Sequence, residues 1–220
     1  MILRGLILTT VAALLASGAV KERAEATHSE TFEIPAGGSL RMVNTAGDVM
    51  IEGWDRPNVE ITTLKWTLEG KEELEKAGVK AKRDGNDLVV TTEVPRHAGL
   101  KPVLRGGARV DLQYRIKVPT GTPLHIQHDE GSISIANIQS DMQVRVGNGD
   151  VTLFVVNPAD YSIDAKVKFG GVTSNFDGKS KRELWLVGER FGRAADGKPH
   201  HAEFRVGYGD VLILKSTITP

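Results

Sequence analysis

Asp48, Asp150 and Asp210 each stand directly after a turn glycine, Gly47, Gly149 and Gly209, at equivalent places in a short repeated motif. A column of carboxylates is one way to build a calcium site, because Ca²⁺ takes several hard oxygen ligands. The spacing points elsewhere. Calcium-binding β-rolls repeat Gly-Gly-x-Gly-x-Asp with a nonapeptide period, whereas these aspartates directly follow the second glycine and recur at steps of about 20 residues. An Asx-type hydrogen bond that closes the turn is the simpler role for each, and no metal site is expected.

Two basic stretches offer a second kind of chemistry. Arg96, Lys101, Arg105 and Arg109 lie in a segment without acids, and Arg190, Arg193 and Lys198 lie in another that begins with Lys179, Lys181 and Arg182. Both are rich in glycine or proline. Such cations are either a solvated loop face or a surface that meets phosphate or carboxylate groups of a polymer.

Catalytic patterns are weaker. Histidines His125 and His128 are three apart on an expected strand, which puts them on opposite faces, and His200 and His201 adjoin a basic loop with no acid cluster to complete a metal site. Cysteine is absent and no Gly-x-Ser-x-Gly elbow occurs. Paired carboxylates such as Asp129 with Asp150 would serve a glycosidase, although nothing in sequence fixes their separation. The reading is therefore non-catalytic with no cofactor, and a carbohydrate-active enzyme is the alternative. Aromatics make up 5% of the chain, so Trp54, Trp66 and Trp185 are expected to pack at corners or in the core rather than form a sugar platform.

The elements that would hold these residues are short strands. Gly147-Asn148-Gly149-Asp150-Val151-Thr152-Leu153 and Gly207-Tyr208-Gly209-Asp210-Val211-Leu212-Ile213 are the clearest copies, with weaker ones at Gly47, Gly131 and Gly171. The intervals from Gly131 to Gly149, Gly149 to Gly171 and Gly171 to Gly209 are 18, 22 and 38 residues, near one, one and two steps of a solenoid. Alternation is clean in Leu40 to Asn44, Val49 to Glu52, Val59 to Leu64, Val110 to Ile116 and Val144 to Val146. One helix is expected over Lys71 to Ala77, followed by a hairpin across Asp84-Gly85-Asn86. Residues 95–108 and 189–201 read as projecting loops. The expected fold is all-β, a single-domain β-solenoid or β-helix-like stack with coils of about 20 residues, one short helix and two loops.

Arg4 and the apolar run Gly5 to Ala16 read as a secretory signal peptide, too short to span a bilayer. Ser17-Gly18-Ala19 and Ala24-Glu25-Ala26 are both small-x-small cleavage sites, and the second is favoured, giving a signal over 1–26 and one domain over 27–220 without a transmembrane anchor. The chain carries 28 cations and 28 anions, which disfavours generic nucleic-acid binding. With no cysteine, its stability must come from packing without disulfides.

The segments Pro35-Ala36-Gly37-Gly38-Ser39-Leu40, Asn44-Thr45-Ala46-Gly47-Asp48-Val49 with Gly53-Trp54-Asp55, Val118-Pro119 before Leu124, and the Gly-Asp-Val turns at Gly149 and Gly209 resemble the bacterial putative-adhesin family of toast-rack β-solenoids. The resemblance covers roughly residues 30–218 and implies a stacked β-structure in the cell envelope, periplasmic or at the cell surface, connected with adhesion or envelope stress. It carries no catalytic residues. Expected partners are an anionic envelope polymer or another envelope protein, with self-association open to exposed strand edges.

Overall fold

The computed structural model describes residues 23–68, 71–93, 110–183, 188–195, 197 and 199–216. Its strands are β1 Ala24–Glu33, β2 Leu40–Asn44, β3 Asp48–Trp54, β4 Asn58–Thr67, β5 Gly78–Asp84, β6 Asp87–Glu93, β7 Asp111–Pro119, β8 Leu124–Glu130, β9 Ile133–Ala136, β10 Met142–Asn148, β11 Val151–Val155, β12 Tyr161–Phe169, β13 Val172–Ser174, β14 Lys179–Glu183, β15 Gly188–Arg193, β16 His200–Tyr208 and β17 Val211–Lys215. Helix α1, Lys71–Lys76, lies between β4 and β5.

The strands form two sheets. The first runs β1-β4-β7-β3-β9-β11-β17-β13 and the second β14-β15-β12-β16-β10-β8-β2-β6-β5. The central strands pair in parallel, so each β-turn-β unit contributes one strand to each sheet and stacks as a layer on the next. Strict alternation explains which side faces in. In the first sheet, Ile61, Ile116, Ile51, Ile135, Leu153 and Ile213 meet in one register row, and all are buried. Met42, Ile126, Val144, Phe204 and Ala165 form the corresponding row of the second sheet. Each such Ile, Leu, Val, Met or Phe side chain contributes about 1.5–3 kcal/mol by leaving water.

The layers do not stack in chain order. Numbering them along the stack, β6/β7 is first, β2/β3 second, β8/β9 third, β10/β11 fourth, β16/β17 fifth and β12/β13 sixth. The chain therefore lays down layers 2, 1, 3, 4, 6 and 5, with a reversal at each end. The spacing of 38 residues from Gly171 to Gly209 is thus one step along the stack, because the hairpin β14–β15 occupies the intervening sequence and β16 enters between β10 and β12.

One further expectation is corrected. Within the expected loop 189–201, residues 189–193 do not project but belong to β15, which pairs antiparallel with both β12 and β14, and Phe191 is buried with its ring lying over Gly178. One apolar residue in a run of charged ones is too little for a sequence pattern to register. β1 begins at Ala24, inside the expected signal segment 1–26, and pairs residue by residue with β4 from Ala24↔Thr67 onward. The other expected loop, 95–108, lies outside the described residues.

Candidate functional site

The repeat turns are built by contact between layers. The five turn glycines Gly47, Gly131, Gly149, Gly209 and Gly170 form a column along the stack, all with positive φ. A β-carbon on Gly149 would lie 2.0 Å from the Gly131 carbonyl oxygen, and one on Gly209 would lie 2.3 Å from that of Gly149. Glycine is required there by space as well as by dihedral angle.

The aspartates after these glycines do something other than the expected Asx turn. The Asp48 carboxylate accepts from the Ser132 N–H at 3.0 Å, Asp150 from the Asp210 N–H at 2.8 Å, and Asp210 from the Gly171 N–H at 2.7 Å. Each bond crosses to the adjacent layer. It reaches an amide at the point where the ladder is interrupted by the turn, one that the neighbouring backbone does not serve. Asp141 does the same for His201 at the opposite strand ends, at 2.8 Å. The column is therefore occupied in holding layers together, and among the described residues no group of three or more metal-ligating side chains occurs.

The expected basic site is redistributed. Arg96, Lys101, Arg105, Arg109 and Lys198 lie outside the described residues. Arg193 points inward: its Nη1 donates to the carbonyls of Pro158 and Tyr161 at 2.6 and 2.9 Å, and its guanidinium lies 5.8 Å from the Phe176 ring centroid. Arg190, by contrast, stands on the outer face of the second sheet. There it meets Lys181 of its own basic stretch and three cations from elsewhere in the chain, Lys166, Arg205 and Arg145.

Registers across five neighbouring strands pair Arg145 with Arg205, Arg205 with Lys166, Lys166 with Arg190 and Arg190 with Lys181. Five cations thus form one row perpendicular to β10, β16, β12, β15 and β14, spanning four strand spacings or about 19 Å. Lys168 stands two residues along β12 on the same face, and Lys179 two residues along β14. Toward the turn the flanking positions on β10 and β16 are Gly147 and Gly207, whose bare backbone leaves the row unobstructed on that side. An open groove of about 790 Å³ on the other side is lined by Asp164, Lys179, Arg190, Gly192 and Arg193.

Asp164 is the anion inside this field. Its Oδ1 and Oδ2 accept from Arg190 Nε and Nη2, both at 3.0 Å, while Oδ2 also accepts from Arg205 Nη2 at 2.7 Å. Arg205 is tied down further by its Nη1, which donates to the Asp164 and Phe204 carbonyls. Partial burial works against ionisation of Asp164, but the hydrogen bonds from the two arginines outweigh it and hold the carboxyl below its ordinary range.

A sequence signal for part of the row exists. Arg145, Arg205 and Lys166 each precede their turn glycine by four residues, whereas Gln127 and Val43 hold that place in the third and second layers. Extending the repeat upstream of the glycine exposes three of the five cations.

Features relevant to catalysis sit apart from this face. His125 is exposed and His128 buried, on opposite faces of β8 as expected. Asp150 of the suggested pair with Asp129 is committed to the Asp210 amide. A groove of about 580 Å³ on the outer face of the first sheet has Thr62, Met50, Ser134 and Thr152 as its floor, with Glu25, Asp48 and Glu60 beside Arg115 and Lys117. Among the described residues one other carboxyl is displaced from its ordinary range, Asp87, and it is shifted downward, by hydrogen bonds from the Ser39 hydroxyl and amide, whereas a general acid working near neutral pH needs the opposite shift. Trp54 packs at its corner, with Nε1 donating to the Asn58 carbonyl at 2.8 Å and Arg56 over the ring.

No family model matches the chain, and no curated protein matches it. Among solved structures, a putative cell adhesion protein from Clostridium sporogenes superposes with a TM-score of 0.53 at 14% identity, covering 88% of this chain and 100% of that one. A putative adhesin from Parabacteroides distasonis matches at a TM-score of 0.27 and 9% identity over 59% of this chain and 57% of its own. A putative lipid binding protein from the same organism matches at 0.25 and 8% identity over 88% and 97%. Only the first of these superpositions is close enough to compare folds. The chain thus shares its fold with a bacterial protein described as a putative cell adhesion protein, in keeping with the family that its sequence resembles.

Proposed function

We propose that this chain is an exported, non-catalytic binding module of the bacterial cell envelope that docks an anionic polymer on the outer face of its second sheet. The carrying observation is the register row Arg145, Arg205, Lys166, Arg190 and Lys181. Like charges directly opposite on neighbouring strands destabilise a sheet. Asp164 and Glu203 relieve part of the cost of four consecutive such pairs, and a bound polyanion would offset more of it while releasing its counterions. Export rests on the N-terminal apolar run, and the non-catalytic reading on the absence of a nucleophile or metal-binding pattern in the sequence.

The test is co-sedimentation of the purified protein with isolated cell-wall polymers at low and moderate salt. Changing Arg145, Arg190 and Lys181 together to Ser should abolish binding, and changing Lys80 and Lys82 on β5, at the far end of the same sheet, should not. Equal binding by the two variants would reject the cationic row as the docking face. A product released from those polymers by the wild-type protein would instead favour the carbohydrate-active enzyme.

A further inference from the structure

Resting on that reading, we infer that the ligand is a linear polyanion lying across the strands and that Asp164 is the positioning residue that makes the row able to receive it. The geometry gives the direction. Cations at successive strands share one register position, so a chain laid perpendicular to the strands meets one positive group about every 4.8 Å. A chain laid along any one strand meets at most two.

An acid in the middle of a polyanion site lowers affinity by simple charge counting. The contacts of Asp164 argue for the contrary effect. Arg190 is 56% exposed at its side chain, and an arginine that long, left unrestrained, loses much rotamer freedom on binding. Asp164 grips it through two parallel hydrogen bonds, which fix the plane of the guanidinium, and draws Arg205 to the same carboxylate from the other side. Two guanidiniums, from the register neighbours of Lys166 on β15 and β16, are thereby held at one carboxylate of β12. The entropy of ordering them is met on folding rather than on binding. Glu203 contributes to the same end, with Oε1 at 3.2 Å from Arg205 Nη2.

Inorganic polyphosphate serves as the probe, in a long form and as triphosphate, titrated calorimetrically into wild type, Asp164→Asn and Asp164→Glu. The expected result is that Asp164→Asn binds long polyphosphate roughly tenfold more weakly although it is the more positive protein, the loss of one charge-assisted interaction. Its preference for the long form over triphosphate should also shrink, and Asp164→Glu should recover part of both. Binding by Asp164→Asn as tight as wild type or tighter would overturn the positioning role while leaving the docking face intact. No binding of polyphosphate by wild type would overturn the docking face and the inference together. A readout independent of the variant's folding is the ¹⁵N–¹H spectrum of wild-type arginine side chains. The Nε signals of Arg190 and Arg205 should move together on titration while that of Arg193 stays; movement of Arg193 instead would also reject the assignment.

Discussion

Gly209 lies directly against Gly149, with room for no β-carbon between its Cα and the Gly149 carbonyl oxygen. The same relationship recurs from Gly47 to Gly170, although the two glycines at the far end of the column, Gly209 and Gly170, are stacked in the reverse of their chain order. Adding a methyl group to Gly209 meets a backbone atom, which cannot rotate away, at a φ of 132°. Gly209→Ala is therefore expected to lower stability by at least about 1–3 kcal/mol from backbone strain alone. Gly121→Ala, where nothing lies within 4 Å and φ is ordinary, should change it by less than about 0.5 kcal/mol. Urea unfolding midpoints of the two variants decide this, and equal midpoints would refute the close-packed column.

The Asp150 carboxylate serves the Asp210 amide of the next layer. Asp150→Ala should cost about 1–2 kcal/mol and Asp150→Asn less, since the amide oxygen still accepts. Millimolar calcium should leave the thermal midpoint of wild type unchanged. A rise with calcium would return the column to the metal-binding reading.

His128 is buried and its Nδ1 takes part in a 3.0 Å contact with Asn44 Nδ2, so Nδ1 accepts and the ring is neutral. Burial pushes its pKa below 6.5, with the Gly131 backbone and the charges of Asp129, Asp48 and Glu130 opposing in part. As pH falls below about 6.5 the unfolded chain binds a proton that the core refuses, so stability declines until the lower folded pKa is reached and is constant below it. Each unit of depression corresponds to about 1.4 kcal/mol. His128→Gln should show a smaller loss of urea midpoint between pH 7 and pH 5 than wild type. Superimposable profiles would show that another group controls acid stability.

Cleavage after Ala26 would remove Ala24, Glu25 and Ala26 from their pairing with Thr67, Trp66 and Lys65, and Arg23 from its place 4.4 Å over the Trp66 ring. On the proposed export, the mature protein is expected to begin at Val20, after Ser17-Gly18-Ala19. Its intact mass tests this directly, and a mass beginning at Thr27 would contradict it.

Arg190 and Arg193 are three residues apart and should behave oppositely. Arg193→Ala removes donors to two backbone carbonyls and is expected to cost about 1–3 kcal/mol of stability with polyanion binding unchanged. Arg190→Ala should weaken binding and leave the unfolding midpoint within about 0.5 kcal/mol, as for a half-exposed surface pair. The reverse pattern would exchange their roles.

Much of the architecture is written locally. Alternating Val, Ile and Leu in Val151 to Val155 or Val211 to Lys215 can only bury one face, and the glycine before each such run marks where the chain turns from one sheet to the other. Those two signals determine an all-β stack and the inward-facing residues of nearly every layer. They do not determine the order of layers, because each β-turn-β unit presents almost the same hydrogen-bonding edges and the same glycine contact to any neighbour. The order follows from where the chain returns after β6 and after β15, which depends on long-range pairing. The cationic face depends on the same decision. Arg145, Arg205 and Lys166 share a place in the repeat, but they become adjacent only because β16 enters between β10 and β12, and Arg190 and Lys181 complete the row only because a hairpin outside the repeat adds to the same edge. Alternation assigns a side chain to a face; tertiary pairing alone decides which charges lie about 5 Å apart on it.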